Sequence, residues 1–144
     1  MSLPAGGPPA LDTPFDQVGG RLAVERLAAR FYEVMERDEP ELTAVHRQAE
    51  GGAGIDPEVK RRFALFLVGW LGGPQDYMAV HGHPRLRMRH ARVAIGPGLR
   101  DAWLRCMTQA MDDCGVTGPV RPFLDQRFAE VANFLTMDTG KGRG

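Results

Sequence analysis

The chain has 144 residues, a length typical of one domain with a sizeable core, and it carries 18 basic (Lys+Arg) and 18 acidic (Asp+Glu) side chains. The resulting zero net charge argues against a general nucleic-acid binder, and two cysteines, Cys106 and Cys114, are too few for a disulfide framework. No apolar run reaches the roughly 18 residues of a membrane span, and the N-terminus lacks the basic and apolar segments of a secretory signal. We therefore expect a soluble, cytoplasmic protein without a membrane partner.

The first predicted helix follows a tail-like segment. Residues 1–14 contain four prolines and two glycines, which predicts a disordered or loosely attached N-terminal tail. From Gly20 to about Arg37, apolar residues recur at steps of three and four, which places them on one helical face. They are Val24, Leu27, Phe31 and Val34. Pro40 ends this pattern.

A second helix is predicted after a short apolar cluster at 42–45 and the glycine-rich loop "EGGAGI" at 50–55. Asp56 can cap its N-terminus, and Pro57 suits its first turn because the missing N–H would have no helical partner there. An aromatic stripe follows and ends at "GGP", residues 72–74. Its members are Val59, Phe63, Phe66, Leu67 and Trp70.

Two further helices are predicted towards the C-terminus. Apolar residues repeat at helical spacing from Leu99 to Cys114 and again from Val120 to Leu135. The closing residues 139–144 predict a flexible C-terminal tail. Strand patterns are almost absent, so the fold class is all-α, and the aromatic faces surround either a plain apolar core or a large flat cofactor.

Residues 81–96, "HGHPRLRMRHARVAIG", concentrate three of the four histidines and four arginines. A helical arrangement places His90 on an apolar stripe beside Leu86 and Val93, with a basic stripe of arginines next to it. Such a histidine is either an ordinary buried side chain or an inward-facing ligand.

A zinc site, a nucleic-acid patch and a solvated charged face are alternative roles for residues 81–96. The spacing of His81, His83 and His90 matches no standard structural zinc site. A nucleic-acid patch would need aromatic residues interleaved with the arginines, and these are missing. A solvated charged face is therefore favoured over both.

The stretch from Gly72 to Met107 resembles the truncated haemoglobins, specifically their second group. The runs "GHPRLRMRH" and "DAWLRCM" carry the resemblance, and "VGG…RFYEVMERDE", residues 18–39, is similar to the first long helix of that family. The resemblance covers roughly residues 14–137. It implies a globin-like domain over 15–138, in which two antiparallel helix pairs sandwich a haem in a two-over-two arrangement.

The same resemblance implies a role for individual residues. His90 matches the ligand that binds the haem iron. Tyr32 and Trp103 match donors on the opposite, distal side of the haem. The expected neighbours of the haem propionates are Arg62, Tyr77, His83 and Arg87. Phe63 and Phe66 are expected to contact the cofactor.

The corner around His46 departs from the family pattern. His46 falls where the family usually carries phenylalanine or tyrosine, so it is either a third distal donor or a residue outside the pocket in a shifted register. The following loop, "RQAEGGAGIDP", is several residues longer than usual in the family. Counting backward from "GWLGGP" puts Val59 at the gate of the pocket and Phe63 one turn deeper.

These resemblances imply a haem b protein that binds dioxygen, nitric oxide, carbon monoxide or peroxide at ferrous iron and relies on a reductase that the sequence does not identify. The expected chemistry is ligand binding rather than bulk oxygen transport, because several distal donors would make ligand release slow. The alternative is a haem-dependent redox catalyst, which either acts like a peroxidase or catalyses the dioxygenation of nitric oxide. A cofactor-free helical module that binds an acidic partner through its arginines is a third hypothesis. We expect a monomer or a homodimer.

Overall fold

The structure is a computed structural model that describes residues 13–52, 54–82 and 96–143, the last ten of these by their backbone alone. Within these ranges the secondary structure is helical, apart from an isolated antiparallel bridge between Gln48 and Ile55. The helices are α1 (Pro14–Val18), α2 (Arg21–Asp38), α3 (Pro40–Ala44), α4 (Pro57–Trp70), α5 (Asp76–His81), α6 (Pro97–Asp113) and α7 (Val120–Arg143). None of the helices described is both long and apolar enough to cross a membrane.

The boundaries of α2 and α4 agree with the capping signals in the sequence. α2 ends at Asp38, and Pro40 opens α3, because proline is tolerated at a first helical position but not inside a helix. At α4 the Asp56 carboxylate accepts a hydrogen bond from the backbone N–H of Glu58 at 2.9 Å. This bond, with a smaller contribution from Arg47, lowers the pKa of Asp56. Gly72, just past the helix, has φ +103°, a conformation that favours glycine.

Three short helices, α1, α3 and α5, have no counterpart in the sequence prediction. Thr13 caps α1, and its side chain and that of Asp16 form a reciprocal capping box. The Phe15 N–H also donates to the carbonyl of Leu71 at 2.9 Å, which ties α1 to the end of α4. Thr13 and Pro14 therefore belong to the folded part, although they lie in the segment predicted as a tail. At the other end, the backbone of α7 is helical through residues 139–143, where a flexible tail is predicted.

Helix α2 lies at the centre of the core. It packs against α4 and α6, and α6 packs against α7. Phe31 and Met35 of α2, Met107 of α6 and Leu124 of α7 are at most 1% exposed. Burying one such large apolar side chain contributes roughly 1.5–3 kcal/mol.

Ion pairs join α6 to α2 and to Glu39, and Cys106 lies on α6, with Cys114 directly after its last residue. Arg30 Nε lies 2.7 Å from Asp113 Oδ2, and Arg105 contacts both carboxylate oxygens of Glu39 at 2.9 and 3.0 Å. Cys106 and Cys114 are free thiols, the first buried and the second half-buried. Burial raises the pKa of Cys106 to about 12.

Candidate functional site

A cavity of about 440 Å³ lies between α2, α3, α4, α5, α6 and α7. This volume falls within the range of roughly 300–1,000 Å³ that is usual for small-molecule and cofactor sites. Its wall is mainly aromatic and aliphatic, with a few polar side chains. The aromatic rings contact one another from Tyr77 at one end to Trp70 at the other.

The cavity brings together the site residues predicted from the sequence that lie in the described ranges. They are Tyr32, His46, Arg62, Phe63, Phe66, Tyr77 and Trp103, together with Val59 at the expected gate. Three other predicted residues, His83, Arg87 and His90, lie outside the described residues.

Tyr32 is a hydrogen-bond donor in an apolar part of the wall. The residue is 4% exposed and packs edge-on against Phe31 and Phe63, with ring centroids 5.1 and 5.7 Å apart. Burial raises the pKa of Tyr32 far above its ordinary value, so its hydroxyl stays protonated at physiological pH. That hydroxyl has no hydrogen-bond partner in the described part of the chain.

Trp103 contributes a second donor from α6. Its ring lies 5.3 Å from Phe31 and 5.8 Å from Phe128, centroid to centroid. The indole N–H, like the Tyr32 hydroxyl, has no partner among the described residues. An apolar cavity with a few polar groups that converge on it is the usual form of a ligand site.

His46 lies in this cavity wall. Its Nδ1 is 2.8 Å from the carbonyl oxygen of Leu42, one turn earlier in the chain. The imidazole ring stands at 90° to the ring of Tyr32, with centroids 6.0 Å apart.

The loop that follows His46 is anchored to α2. One carboxylate oxygen of Glu36 accepts the backbone N–H of Ile55 at 2.8 Å and lies 3.1 Å from the ammonium of Lys60. Gly54 has φ +92°, a conformation that favours glycine, and a Cβ there would lie 2.7 Å from the same oxygen. The Arg47 side chain pairs with Asp56 at 2.7 Å across the base of this loop. These contacts fix the segment that presents His46 and Arg47 to the cavity.

Several charged side chains line the cavity. Arg62 on α4 has a buried Nε–H without a hydrogen-bond partner in the described structure. Glu58, one turn earlier, pairs with Arg61 at 2.6 Å, and the pKa of Glu58 is lowered first by that pair and also by the charge of Arg62. Arg100 on α6 also lines the cavity. An orphaned buried guanidinium N–H is a group that an anionic ligand would satisfy.

The sequence prediction missed several cavity residues. Among them are Arg47, Glu58, Trp70, Leu99, Arg100 and Phe128. Trp70, Leu99 and Phe128 belong to the predicted apolar helical faces, but periodicity does not tell a core-facing position from a cavity-facing one. Arg47 and Glu58 depend on the path of the long loop, which no spacing in the sequence predicts.

Comparison with known proteins gives one family and several similar chains. A model of the family described as "Bacterial-like globin" matches residues 13–136. An 82-residue segment, 57% of this chain, is 43% identical to the group 2 truncated haemoglobin YjbI of Bacillus subtilis, and it spans 62% of that protein.

Solved structures similar to this one cover more of the chain. A group II truncated haemoglobin from Bacillus anthracis is 36% identical over 85% of this chain and 89% of its own, with a TM-score of 0.71. The truncated oxygen-avid haemoglobin of Bacillus subtilis is 32% identical over 86% of this chain and 98% of its own, with a TM-score of 0.73. A thermostable haemoglobin from Thermobifida fusca is 33% identical over 86% and 96%, with a TM-score of 0.72.

Proposed function

Since this chain belongs to the bacterial-like globin family, as a group II truncated haemoglobin with the two-over-two helical fold, we propose that it binds dioxygen and other diatomic ligands at a ferrous haem iron ligated by His90. The chain is a haem-binding globin. Our proposal concerns its ligand, the role of His90 and the haem b type. The observation that carries the proposal is the pair of unpartnered donors, Tyr32 and Trp103, in one aromatic cavity of the described structure.

The cavity fits a flat apolar cofactor that carries carboxylates. Its aromatic wall provides flat contact surfaces, and Phe63 and Phe66 on α4 are two of these. The unpartnered Nε–H of Arg62 supplies a charged donor at the part of the described wall where Glu58 also lies. When bound, haem supplies the iron at which a diatomic ligand coordinates.

We assign the propionate end to Arg62 and Tyr77, together with His83 and Arg87, which lie outside the described residues. A guanidinium matches a carboxylate with two parallel N–H bonds, and it carries charge at every physiological pH. These four side chains hold and orient the cofactor; they do not react with the ligand.

Tyr32 and Trp103 act on the bound ligand. A ligand that gains negative charge on binding is held more tightly by donors aimed at it, and carbon monoxide gains less charge than dioxygen. The hydroxyl of Tyr32 keeps its proton because burial raises its pKa, so it donates over the whole physiological pH range. The relative from Bacillus subtilis is described as oxygen-avid, which supports ligand retention as the function rather than transport.

Haem loading tests the cofactor part of this proposal. Purified protein, with haem supplied if necessary, should show an intense absorption band near the blue edge of the visible spectrum. The reduced protein should then bind dioxygen reversibly, and His90→Ala should lose haem or hold it loosely. Absence of the band after haem addition would overturn the proposal, and unchanged haem retention in His90→Ala would show that another residue is the ligand.

A haem-dependent redox catalyst is the second candidate, favoured by the presence of His46 beside the two donors in the cavity wall. The electron source would be a cellular reductase in either case. Steady turnover of hydrogen peroxide with a reductant, or of nitric oxide with dioxygen, would support the catalyst over the binder.

A further inference from the structure

The described wall of the cavity is most exposed to solvent just after α3. Of the described residues that line the cavity, Val45 and Arg47 are exposed, and the others are buried or half-buried. The Arg47 carbonyl accepts the backbone N–H of Asp56 at 2.8 Å, so this exposed segment lies beside the N-terminus of α4. Val59, in the first turn of α4, also lines the cavity. Within the described ranges, solvent therefore approaches the cavity between the end of α3 and the first turn of α4.

Glu36 of α2 contacts both sides of the N-terminus of α4. Its Oε2 atom accepts the backbone N–H of Ile55 at 2.8 Å and lies 3.1 Å from Nζ of Lys60. Ile55 directly precedes Asp56, which is bonded to Arg47, and Lys60 lies in the first turn of α4. One carboxylate of α2 thus holds the residues that lead into α4 as well as α4 itself.

These contacts are partly shielded from water, which gives them more weight than a surface ion pair has. The side chains of Glu36 and Lys60 are 28% and 34% exposed, and Ile55 is 1% exposed. Movement of the first turn of α4 away from α2 would break the contact with Lys60. Movement of the preceding residues would take away the acceptor of the Ile55 N–H, which costs free energy because that group is buried. Widening this side of the cavity therefore requires breaking the bonds of Glu36.

We propose that Glu36 is a positioning residue that limits how fast ligands enter and leave the cavity, by holding Ile55 and the first turn of α4 against α2. Glu36 does not line the cavity, so it acts on passage and not on the bound ligand. A change in the barrier to passage alters entry and exit by the same factor and leaves the affinity unchanged. The inference rests on the proposed function, since the ligands of that site report the passage.

Ligand kinetics test the inference with two gases. In Glu36→Ala, the association and dissociation rates of dioxygen and of carbon monoxide should all rise about 2- to 10-fold, the factor that corresponds to one hydrogen bond. Flash photolysis and stopped-flow mixing of the reduced haem protein measure these rates. Glu33→Gln, which changes an exposed carboxylate of the same helix, is the control and should match the parent.

The ion pair is tested separately from the backbone contact. Glu36→Gln and Lys60→Gln each remove the pair, and the amide oxygen of Glu36→Gln can still accept from Ile55. Both variants should exchange ligands faster than the parent and more slowly than Glu36→Ala. The double variant should be no faster than the faster of the two single variants, because each substitution removes the same contact. Additive effects in the double variant would overturn the role of the pair.

Hydrogen exchange of the Ile55 amide tests the contact without any ligand. The exchange should be faster in Glu36→Ala than in the parent and unchanged in Glu33→Gln, because only the first variant removes the acceptor. Exchange at the parent rate in Glu36→Ala would overturn the inference.

The outcomes separate this inference from the proposed function. If the parent protein fails to load haem or bind diatomic ligands, the proposed function fails, whereas hydrogen exchange still reports whether Glu36 holds Ile55. If ligands bind but Glu36→Ala exchanges them at the parent rates, the inference is overturned. A rise in dioxygen dissociation alone would also overturn it, because it would show an effect on the bound ligand. If Glu36→Ala does not fold, parent rates in both Glu36→Gln and Lys60→Gln overturn it.

Discussion

Two buried tyrosines line the same cavity, and their surroundings assign them different roles. Tyr32 and Tyr77 are each 4% exposed. Tyr32 is surrounded by Phe31, Phe63 and His46, whereas Tyr77 lies between Phe66 and His81, the last residue of α5. The pair therefore offers a matched comparison, in which the same atom is removed from two places in one pocket.

Tyr32→Phe should speed dioxygen release by roughly 10- to 100-fold. A hydrogen bond to a group carrying charge contributes about 1.5–3 kcal/mol, and each 1.4 kcal/mol is tenfold in rate if the bond exists only with ligand bound. Stopped-flow release of dioxygen measures the change, with Tyr77→Phe as the control that should release at nearly the parent rate. Carbon monoxide should respond much more weakly. Equal acceleration of both gases would mean that Tyr32 acts by steric gating.

Arg62→Gln should weaken the hold on haem, because it removes the guanidinium whose Nε–H has no partner in the described structure. The haem dissociation rate should rise roughly 2- to 10-fold. The effect is moderate because a partly exposed charged contact contributes less binding free energy than a buried one. Transfer of haem to a high-affinity acceptor protein measures it. Arg61→Gln is the control, because Arg61 is largely exposed and pairs with Glu58. If both variants lose haem at the same rate, local charge rather than a contact of Arg62 is responsible.

At the scale of elements, the long loop between α3 and α4 depends on one carboxylate of α2. Glu36 reaches the backbone of Ile55 and the side chain of Lys60, and it is seated against Gly54. Ile55 is 1% exposed, and removal of the carboxylate takes away the hydrogen-bond acceptor of its N–H. Leaving a buried donor without a partner costs more free energy than the lost hydrogen bond had contributed to stability.

Glu36→Ala should therefore lower the free energy of unfolding by about 1–3 kcal/mol. Glu36→Gln should cost less, because its amide oxygen can still accept from Ile55. Urea denaturation measures both, and Glu33→Ala, which removes an exposed carboxylate of the same helix, is the control. A loss in Glu33→Ala as large as in Glu36→Ala would show that the loop anchor contributes nothing specific.

The ion pair between α2 and α6 should make stability depend on pH. Hydrogen bonds from Arg30 and then from Gln109 lower the pKa of Asp113. A carboxylate with a lowered pKa stabilises the fold above its unfolded pKa of about 3.9, and this contribution is lost as the pH falls through the lower folded value.

Asp113→Asn should thus be less stable than the parent at pH 7, and the difference should shrink as the pH falls from about 5 to below 3.9. Urea midpoints of the two proteins at about pH 7, 5 and 3.5 measure it. A difference that stays constant over this range would indicate that Asp113 acts through packing.

The sequence predicts the long helices well, because capping and periodicity are local. Asp56 and Pro57 specify the start of α4, and Pro40 marks the end of α2, without reference to the rest of the fold. Helices α1 and α5 have five and six residues, too few to show a 3.6-residue period, although Thr13 and Asp16 have the spacing of a capping box.

The candidate site residues could be predicted only from the resemblance to the truncated haemoglobins. That resemblance identified Tyr32, Arg62 and Trp103, whereas periodicity alone would have assigned them to the core or the surface. The placement of His46 depends on the contacts that Glu36 and Arg47 make with the loop, and these pair residues 9 to 24 positions apart. Such contacts depend on tertiary structure, which local signals do not specify.

At the scale of the whole molecule, the cavity lies inside the same aromatic cluster that forms much of the core. Phe31 contacts both Trp103 and Phe63, so core packing and the cavity wall share side chains. A ligand that fills the cavity binds the folded state alone and must stabilise it.

Haem should accordingly raise the melting temperature of the haem-free protein. At a free concentration 100 times the dissociation constant the gain is about 2.7 kcal/mol, and for a chain of this size this corresponds to roughly 5–15 °C. Differential scanning calorimetry measures it, with iron-free protoporphyrin as a control that fills space without the bond to iron. No shift with haem would show that the cavity does not hold it.

The buried sulfur of Cys106 on α6 has a consequence for how the protein withstands oxidants. Burial raises the pKa of Cys106 to about 12, so the thiol stays protonated at pH 7, and the thiolate is the form that attacks peroxides. Cys106 is three residues from Trp103 on the same helix, yet it is fully buried on the core side. We therefore expect treatment of the protein with hydrogen peroxide to form little sulfenic acid at Cys106.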